Sequence, residues 1–161
     1  MKKILASGLL TLFSVSAGFA LYYAYSTRLS HTDEKLVSCT SRLIFMTEHS
    51  RQNVLLTFLI DRDKNTGVAS LEGVHTIDNK VRGTFNRQVN FRYTYNDGNY
   101  YLTSVSLRKI NTETVSDALA RQALPEFFST PGSAINYTVI PQDRNISVFS
   151  IGKMPRFMCI R

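Results

Sequence analysis

The sequence predicts a mainly β protein, in which an N-terminal transmembrane helix precedes an antiparallel rolled sheet or small barrel with one helix. Three observations lead to this fold class. An apolar run without a formal charge opens the chain, apolar and polar residues alternate through much of the rest, and two cysteines stand near the two ends of the alternating part. We therefore expect an anchor over residues 1–28, a linker over 29–35 and a β-rich domain over 36–161.

The anchor is predicted from residues 4–25, which carry no charge and follow Lys2 and Lys3. A helix of this length rises about 33 Å, enough to cross a hydrocarbon core of about 30 Å. The two lysines favour a cytoplasmic start, so the β-rich domain is expected outside the cytoplasm. A cleaved signal peptide, with Gly18-Phe19-Ala20 as a weak cleavage site, is the alternative. Both interpretations export the remainder of the chain.

Five strands are predicted before the helix. Residues 81–95 show the clearest alternation, which is typical of a half-buried strand. Asp97-Gly98 then separates two strand patterns and indicates a tight hairpin. The apolar residues of the alternating strand share one face: Phe85, Val89, Phe91, Tyr93 and Tyr95. The five predicted strands are residues 36–46, 53–61, 68–77, 81–95 and 100–110.

A helix and three more strands complete the predicted domain. Thr114-Val115-Ser116-Asp117 fits a capping box with the shorter acid, Ala118 and Leu119 continue a helical spacing, and Pro125 ends the helix. Seven or eight antiparallel strands must hide their edges, which a rolled sheet or a small barrel achieves. The helix is expected to cap one end or cover a seam. The last strands are predicted at residues 135–140, 146–151 and 156–160.

Cys39 and Cys159 are the two cysteines of the chain. In an oxidising compartment we interpret them as one disulfide, which places the first and last strands side by side. Two free redox-active thiols are the alternative, although no CxxC spacing supports them.

The chain carries a formal net charge of +7. Such a balance suggests nucleic acid in a cytosolic protein, but an exported domain lies across the membrane from it. The charges are scattered and form no run. We therefore interpret these charges as a source of solubility and of weak attraction to an anionic surface or an acidic partner.

Catalytic and metal-binding motifs do not emerge from the sequence. The histidines, His31, His49 and His75, do not stand at metal-ligand spacing with one another. The segment from Asp61 to Glu72 echoes a calcium-binding loop, but its sixth position is Thr66 where that loop needs glycine. A polar hairpin turn is the better interpretation. We expect no catalytic residue, no metal, no cofactor and no enzymatic activity.

A cluster of aromatic residues in the middle of the chain and around the end of the helix is the candidate binding feature. Core packing explains most of these side chains, and an apolar pocket for an amphipathic small molecule or a partner surface is the alternative. The candidate residues are Phe85, Phe91, Tyr93, Tyr95, Tyr101, Phe127 and Phe128.

Several features together resemble the FidL-like inner-membrane proteins of enterobacteria. They are the lysine-led anchor, Cys39, Leu71-Glu72-Gly73, the stretch FNRQVNFRYTYNDGNYYLTS, and Phe157-Met158-Cys159. The resemblance implies a partner of membrane-spanning, winged-helix regulators of the ToxR type. By analogy with the accessory protein ToxS, it also implies one anchor and a periplasmic, lipocalin-like barrel that can hold a bile salt. Fold alone does not carry that function over.

The sequence therefore predicts a single-pass protein of the bacterial inner membrane with its C-terminal domain in the periplasm. Its expected role is that of an accessory protein that binds and modulates a membrane-bound regulator. The alternative is a stand-alone, calycin-like envelope protein that binds a small amphipathic ligand.

Overall fold

The computed structural model describes residues 36–161, which form eight β-strands, one α-helix and one 3-10 helix. The predicted anchor and linker lie outside the described residues. Within residues 36–161, no helix is long and apolar enough to cross a membrane. The strands are β1 (Leu36–Met46), β2 (Ser50–Asp61), β3 (Thr66–Ile77), β4 (Lys80–Asn96), β5 (Asn99–Lys109), β6 (Ala134–Asp143), β7 (Ile146–Ile151) and β8 (Met154–Ile160). The helices are α1 (Asp117–Ala123) and the 3-10 helix Glu126–Phe128.

The described strands close into one antiparallel barrel in chain order, from β1 round to β8 and back to β1. Each strand pairs with the next one along the chain, which is the up-and-down arrangement. The predicted mainly β fold is thus confirmed, and of the two predicted forms the closed barrel is the one found.

Alternation along the strands sorts the side chains between the barrel interior and its outer surface. In β2 the even-numbered positions from Gln52 to Phe58 are buried, and in β4 the odd-numbered positions from Phe85 to Tyr93 are buried. Successive residues of a strand point to opposite faces, so one row fills the core and the other meets water. This rule places the polar residues Gln52 and Arg87 inside the barrel.

Two hairpin turns follow directly from their sequences. Asp97 and Gly98 have φ of 47° and 81°, and Asp78 and Asn79 have φ of 48° and 61°. Positive φ at both central residues is what a two-residue hairpin needs to match the twist of its strands. Asp61 accepts hydrogen bonds from the backbone of Asp63 and Lys64, so the calcium-loop echo is a hairpin turn, as predicted.

The helix begins two residues later than the predicted capping box places it. Ser116 is the N-cap, and its hydroxyl accepts a hydrogen bond from the Leu119 amide. Thr114 does not cap the helix, because its Oγ1 accepts the Thr84 amide 2.9 Å away and thereby holds the loop against β4. The predicted Thr114 cap is therefore wrong, while the helix itself is confirmed.

The predicted disulfide is present between Cys39 of β1 and Cys159 of β8, with the Cα atoms 5.4 Å apart. Both sulfurs lie in the buried core. The bridge thus joins the first and last strands of the barrel from the inside, and the alternative of two free thiols is excluded in this structure.

Candidate functional site

The two ends of the barrel differ. At one, here called the plugged end, the long connection between β5 and β6 carries α1 and the 3-10 helix, and Phe127 and Phe128 are buried there. At the other, here called the open end, short turns join the strands, and β1 begins and β8 ends. The polypeptide therefore enters the barrel at the open end.

A buried ion pair holds the plug in place. Arg87 points inward from β4 and Glu113 from the β5–α1 loop, and both side chains are almost fully buried. The Arg87 guanidinium donates to both Glu113 carboxylate oxygens, and its Nη1 donates to the Phe128 carbonyl 3.2 Å away. The backbone N–H of Asn86 also donates to Glu113 Oε2. Two carboxylate contacts and a carbonyl satisfy the guanidinium, which makes burial of the charges tolerable.

One further cation, Lys109, and one further acid, Asp117, extend this pair towards the surface. The Lys109 ammonium lies 3.6 Å from Glu113 and 3.4 Å from Asp117 at the first turn of α1. It also donates to the Val115 carbonyl. The network therefore ties β4, β5, the loop and α1 together. It fastens the plug to the barrel wall.

A second buried polar pair lies near the plugged end. Gln52 Nε2 lies 3.2 Å from His75 Nδ1 and donates to Ser50 Oγ, while the His75 ring packs edge-on against Phe85. Gln52 Oε1 and His75 Nε2 have no hydrogen-bond partner in the described structure. Ser50 is thus the hydroxyl group in contact with this pair.

Aromatic rings fill the middle of the barrel. Phe58 packs on Phe91, Phe149 and Phe157, and Tyr137 meets Phe149 and Phe157 edge-on. Burial raises the pKa of Tyr137 to about 12, because the phenolate would lose its hydration inside this cluster. These contacts leave little internal space.

A small cavity remains at the open end, with a volume of about 50 Å³. Its inner wall is apolar, including Phe58, Phe91 and Phe149, and Arg62 and Arg161 stand at its outer part. Pockets for drug-sized ligands are typically about 300–1,000 Å³. In this conformation the cavity at the open end therefore has room for water and not for a steroid or a fatty acid.

The barrel is closed weakly at one place, between β1 and β8. Their pairing consists of Thr40 with Ile160. Beyond that pair, residues 41–46 of β1 and residues 154–159 of β8 face each other without pairing, and we call this stretch the seam. A groove of about 1,250 Å³ opens along it, with Leu43, Phe45 and Phe157 among the apolar residues of its lining.

Exposed apolar side chains gather on the outer surface beside the seam. Ile44, Met158 and Ile160 are 52%, 61% and 57% exposed. Ile140 on β6 pairs with Val148 on β7, which pairs with Met158 on β8, so one apolar row runs to the seam. Large contiguous exposed apolar patches are common at interaction sites of soluble proteins. We call Ile44, Ile140, Val148, Met158 and Ile160 the seam patch.

The structure separates the seven aromatic residues proposed from the sequence. Five are buried in the core: Phe85, Phe91, Tyr93, Phe127 and Phe128. Tyr95 and Tyr101 lie outside it, 60% and 47% exposed. Tyr95 stands at the end of β4, where the strand projects beyond the packed interior, although its ring still contacts Tyr100. Tyr101 belongs to the outward row of β5. The seven therefore do not form one surface.

Sequence reasoning missed Arg87 and the seam. Arg87 shares its parity with Phe85 and Val89, so alternation alone assigns it to the inner face. A charged side chain on the inner row of a strand was the available signal for a buried ion pair. The incomplete pairing at the seam could not be predicted in this way, because residues 36–46 and 156–160 have the sequence pattern of ordinary strands.

No group of three or more His, Cys, Asp or Glu side chains lies together within residues 36–161. What the described part of the chain does present is a packed barrel, a plug and an apolar seam.

Comparison with known proteins places the chain in a family. The model of the YqeJ C-terminal domain matches residues 36–159. The chain belongs to this family. The match coincides with the barrel and includes both cysteines, so the YqeJ C-terminal domain here is the disulfide-closed barrel itself.

The chain is also similar to the uncharacterized protein YqeJ of Escherichia coli (strain K12). The two are 25% identical over 149 residues, which cover 90% of this chain and 91% of that protein. The similarity covers 90% of this chain, which is more than residues 36–161 alone make up. It therefore extends into the segment before the barrel. The resemblance to the FidL-like proteins stays a prediction beside this YqeJ family membership.

Proposed function

We propose that this protein is a non-enzymatic accessory protein, anchored in the bacterial inner membrane by residues 4–25, whose periplasmic barrel binds and modulates a membrane-bound, ToxR-type transcription regulator. The resemblance to FidL-like proteins suggests that class of partner. The apolar start of the chain and the core disulfide are consistent with an exported domain.

The seam patch is the observation that carries the proposal. The cavity at the open end, of about 50 Å³, leaves little space for a small molecule, whereas exposed apolar side chains cluster on the outside. Burial of apolar surface is the dominant favourable term in most protein–protein association, and an apolar patch offers such surface. Recognition through the outer surface therefore fits these features better than recognition through the interior.

The test is a cross-linking and co-purification from native membranes. The full chain, tagged and expressed at its native level, is expected to bring down a regulator with one membrane span and a DNA-binding head. Deleting the protein is expected to lower the abundance of that regulator and change transcription of its targets. A matched control carries residues 1–35 on an unrelated periplasmic barrel. Recovery of the protein alone, with regulator abundance unchanged in the deletion strain, would contradict the proposal.

The alternative function, binding of a small amphipathic ligand, is favoured by one observation. The cavity at the open end combines an apolar wall with Arg62 and Arg161, which suits an amphiphile with an anionic head. Binding would require the aromatic side chains to rearrange. Bile salts and fatty acids are screened on the full chain by thermal shift, where a specific ligand raises Tm by mass action. No shift with any amphiphile would remove this alternative.

A further inference from the structure

The seam exposes two strand edges that face each other. Residues 41–46 of β1 pair with β2 on one side only, and residues 154–159 of β8 pair with β7 on one side only. A strand edge presents unpaired N–H and C=O groups that can accept another strand. The barrel is thus closed at one pair of residues and open to strand addition beyond it.

Of the two edges, β1 is the better template. Its register with β2 is regular from Leu36 to Met46. In β8, Pro155 lacks a backbone N–H, and the register with β7 shifts between Phe149 and Ser150, where it leaves Arg156 without a partner. Proline and a bulge both blunt a strand edge. An added strand would therefore pair with β1.

The side chains around the seam define the chemistry of an occupant. Leu43 and Phe45 point into the groove, whose lining also holds Phe128 and Phe157. A strand lying here would set every second side chain against this apolar floor. Its inward positions must then be apolar, as alternation along a strand requires.

The outward positions meet positive charge. Arg42 and Arg156 are exposed at the groove, and neither forms an ion pair within residues 36–161. The groove lining holds a third arginine, Arg161, and no aspartate or glutamate. Complementary charge steers a partner and fixes its register. Acidic side chains at the outward positions are therefore the matching choice.

We propose that residues 41–46 of β1 bind an extended segment of a partner protein as an added strand, and that this segment alternates apolar and acidic side chains. This inference rests on the proposed function, because it supplies the docking mode of the barrel on its partner. Strand addition obtains affinity from backbone hydrogen bonds and specificity from alternate side chains.

The test measures binding of two labelled hexapeptides to the full chain in detergent micelles. One alternates glutamate and valine, the other lysine and valine, and both match the length of residues 41–46. Fluorescence anisotropy is expected to show binding of the acidic peptide, weakening as salt is raised because the arginines are exposed. The basic peptide is expected to bind at least about tenfold more weakly, since like charges then meet.

The double variant R42E/R156E reverses the charge of the seam. It is expected to weaken binding of the acidic peptide by about tenfold or more and to strengthen binding of the basic one. R92E is the matched control, because Arg92 is an exposed arginine on β4 that does not line the groove. It is expected to leave both affinities unchanged. Circular dichroism and Tm of each variant verify that the barrel is folded.

Three results would overturn the inference: no binding of the acidic peptide, equal binding of both peptides, or equal effects of R42E/R156E and R92E. A fourth result would also overturn it: the chain dimerises, the dimers are lost in R42E/R156E, and no peptide binds. The occupant of the seam would then be a second copy of this chain. The proposed function fails separately, when the deletion leaves every candidate regulator unchanged. If the acidic peptide binds but no regulator is affected by the deletion, strand addition stands and the regulator is excluded as the partner.

Discussion

Arg87 and Glu113 show how single residues set the architecture of the plugged end. Both are almost completely buried, and each supplies the partner that the other needs in the low-dielectric interior. Because Glu113 lies on the loop and Arg87 on the barrel wall, neither charge can stay paired if the plug leaves. The pair therefore couples the closure of this end to the stability of the whole barrel.

Replacing Glu113 by glutamine is expected to lower the free energy of unfolding by about 3 kcal/mol, because it leaves the Arg87 charge buried without a carboxylate. Denaturant unfolding of the full chain in detergent, followed by circular dichroism, measures the loss. Glu126→Gln is the control, since Glu126 is an exposed acid on the adjoining 3-10 helix. Equal effects of the two substitutions would show that the buried pair contributes nothing specific.

Tyr137 gives the core a dependence on alkaline pH. Burial raises its pKa from 10.0 in the unfolded chain to about 12 in the folded protein. The folded state therefore favours the neutral phenol, and this contribution is fully present below pH 10 and is lost as the pH rises to 12. The loss amounts to about 3 kcal/mol at most, from about 1.4 kcal/mol per pKa unit.

The measurement compares the wild type with Tyr137→Phe by unfolding at neutral pH and across the interval from pH 10 to pH 12. We expect the difference in unfolding free energy to move in favour of the phenylalanine variant as the pH rises, since phenylalanine has no proton to lose. Parallel curves for the two proteins would mean that Tyr137 titrates as an exposed tyrosine does.

Individual residues also show where sequence reasoning stops. Alternation assigned Phe85, Phe91 and Tyr93 to the inner face correctly, because the period of a strand is a local property. The same parity placed Tyr95 inside, but inward direction buries a side chain only where the opposite wall exists, and β4 runs past it. Glu113 could not be foreseen as the partner of Arg87, since a loop residue obeys no period.

At the scale of elements, β1 and β8 depend on the disulfide more than on their own pairing. They share one residue pair, Thr40 with Ile160, whereas β1 is paired with β2 along its whole length. The Cys39–Cys159 bond closes a loop with a sequence separation of 120. It therefore substitutes for the hydrogen-bonded ladder that the seam lacks.

Replacing Cys39 and Cys159 together by alanine is expected to lower the free energy of unfolding by about 5 kcal/mol, the chain-entropy value for a loop of this size. Hydrogen exchange is expected to accelerate in every strand, because the free energy of global unfolding falls, and to accelerate most in β1 and β8. Uniform acceleration over all strands would contradict a local role in closure. An unchanged unfolding free energy would contradict the stabilising role itself.

The bounds of some strands and helices were predicted more accurately than others, and the difference has a physical reason. The bounds of β1 and β7 agree with the sequence interpretation, and Asp97-Gly98 set the β4–β5 hairpin through its own backbone preference. The start of α1 was misplaced because Thr114 and Ser116 are both good caps. Only the contact of Thr114 with Thr84, thirty residues away, decides between them.

At the scale of the whole molecule, closure is the property that no local pattern contains. Alternation tells which face a residue takes, and short turns tell which strands are neighbours, but an open sheet and a closed barrel satisfy both. The two cysteines were the one feature of the sequence that predicted a contact between distant residues. A disulfide between the first and last strands requires those two strands to lie side by side. That they do so incompletely, at the seam, is a feature of the folded barrel alone.

The whole-molecule prediction concerns the compartment of the barrel. If residues 1–28 export the domain, Cys39 and Cys159 are oxidised in cells that make the full chain, because structural disulfides form in oxidising compartments. Acid quenching followed by alkylation and a gel-shift assay measures this state. A chain lacking residues 1–28 is expected to remain reduced in the cytoplasm and to be degraded faster, since it lacks the bond that closes β1 on β8.

The matched control is the full chain in cells without a periplasmic thiol oxidase, where its cysteines are expected to be reduced although the chain is still anchored. Reduced cysteines in the full chain of wild-type cells would place the barrel on the cytoplasmic side and contradict both the topology and the proposed function.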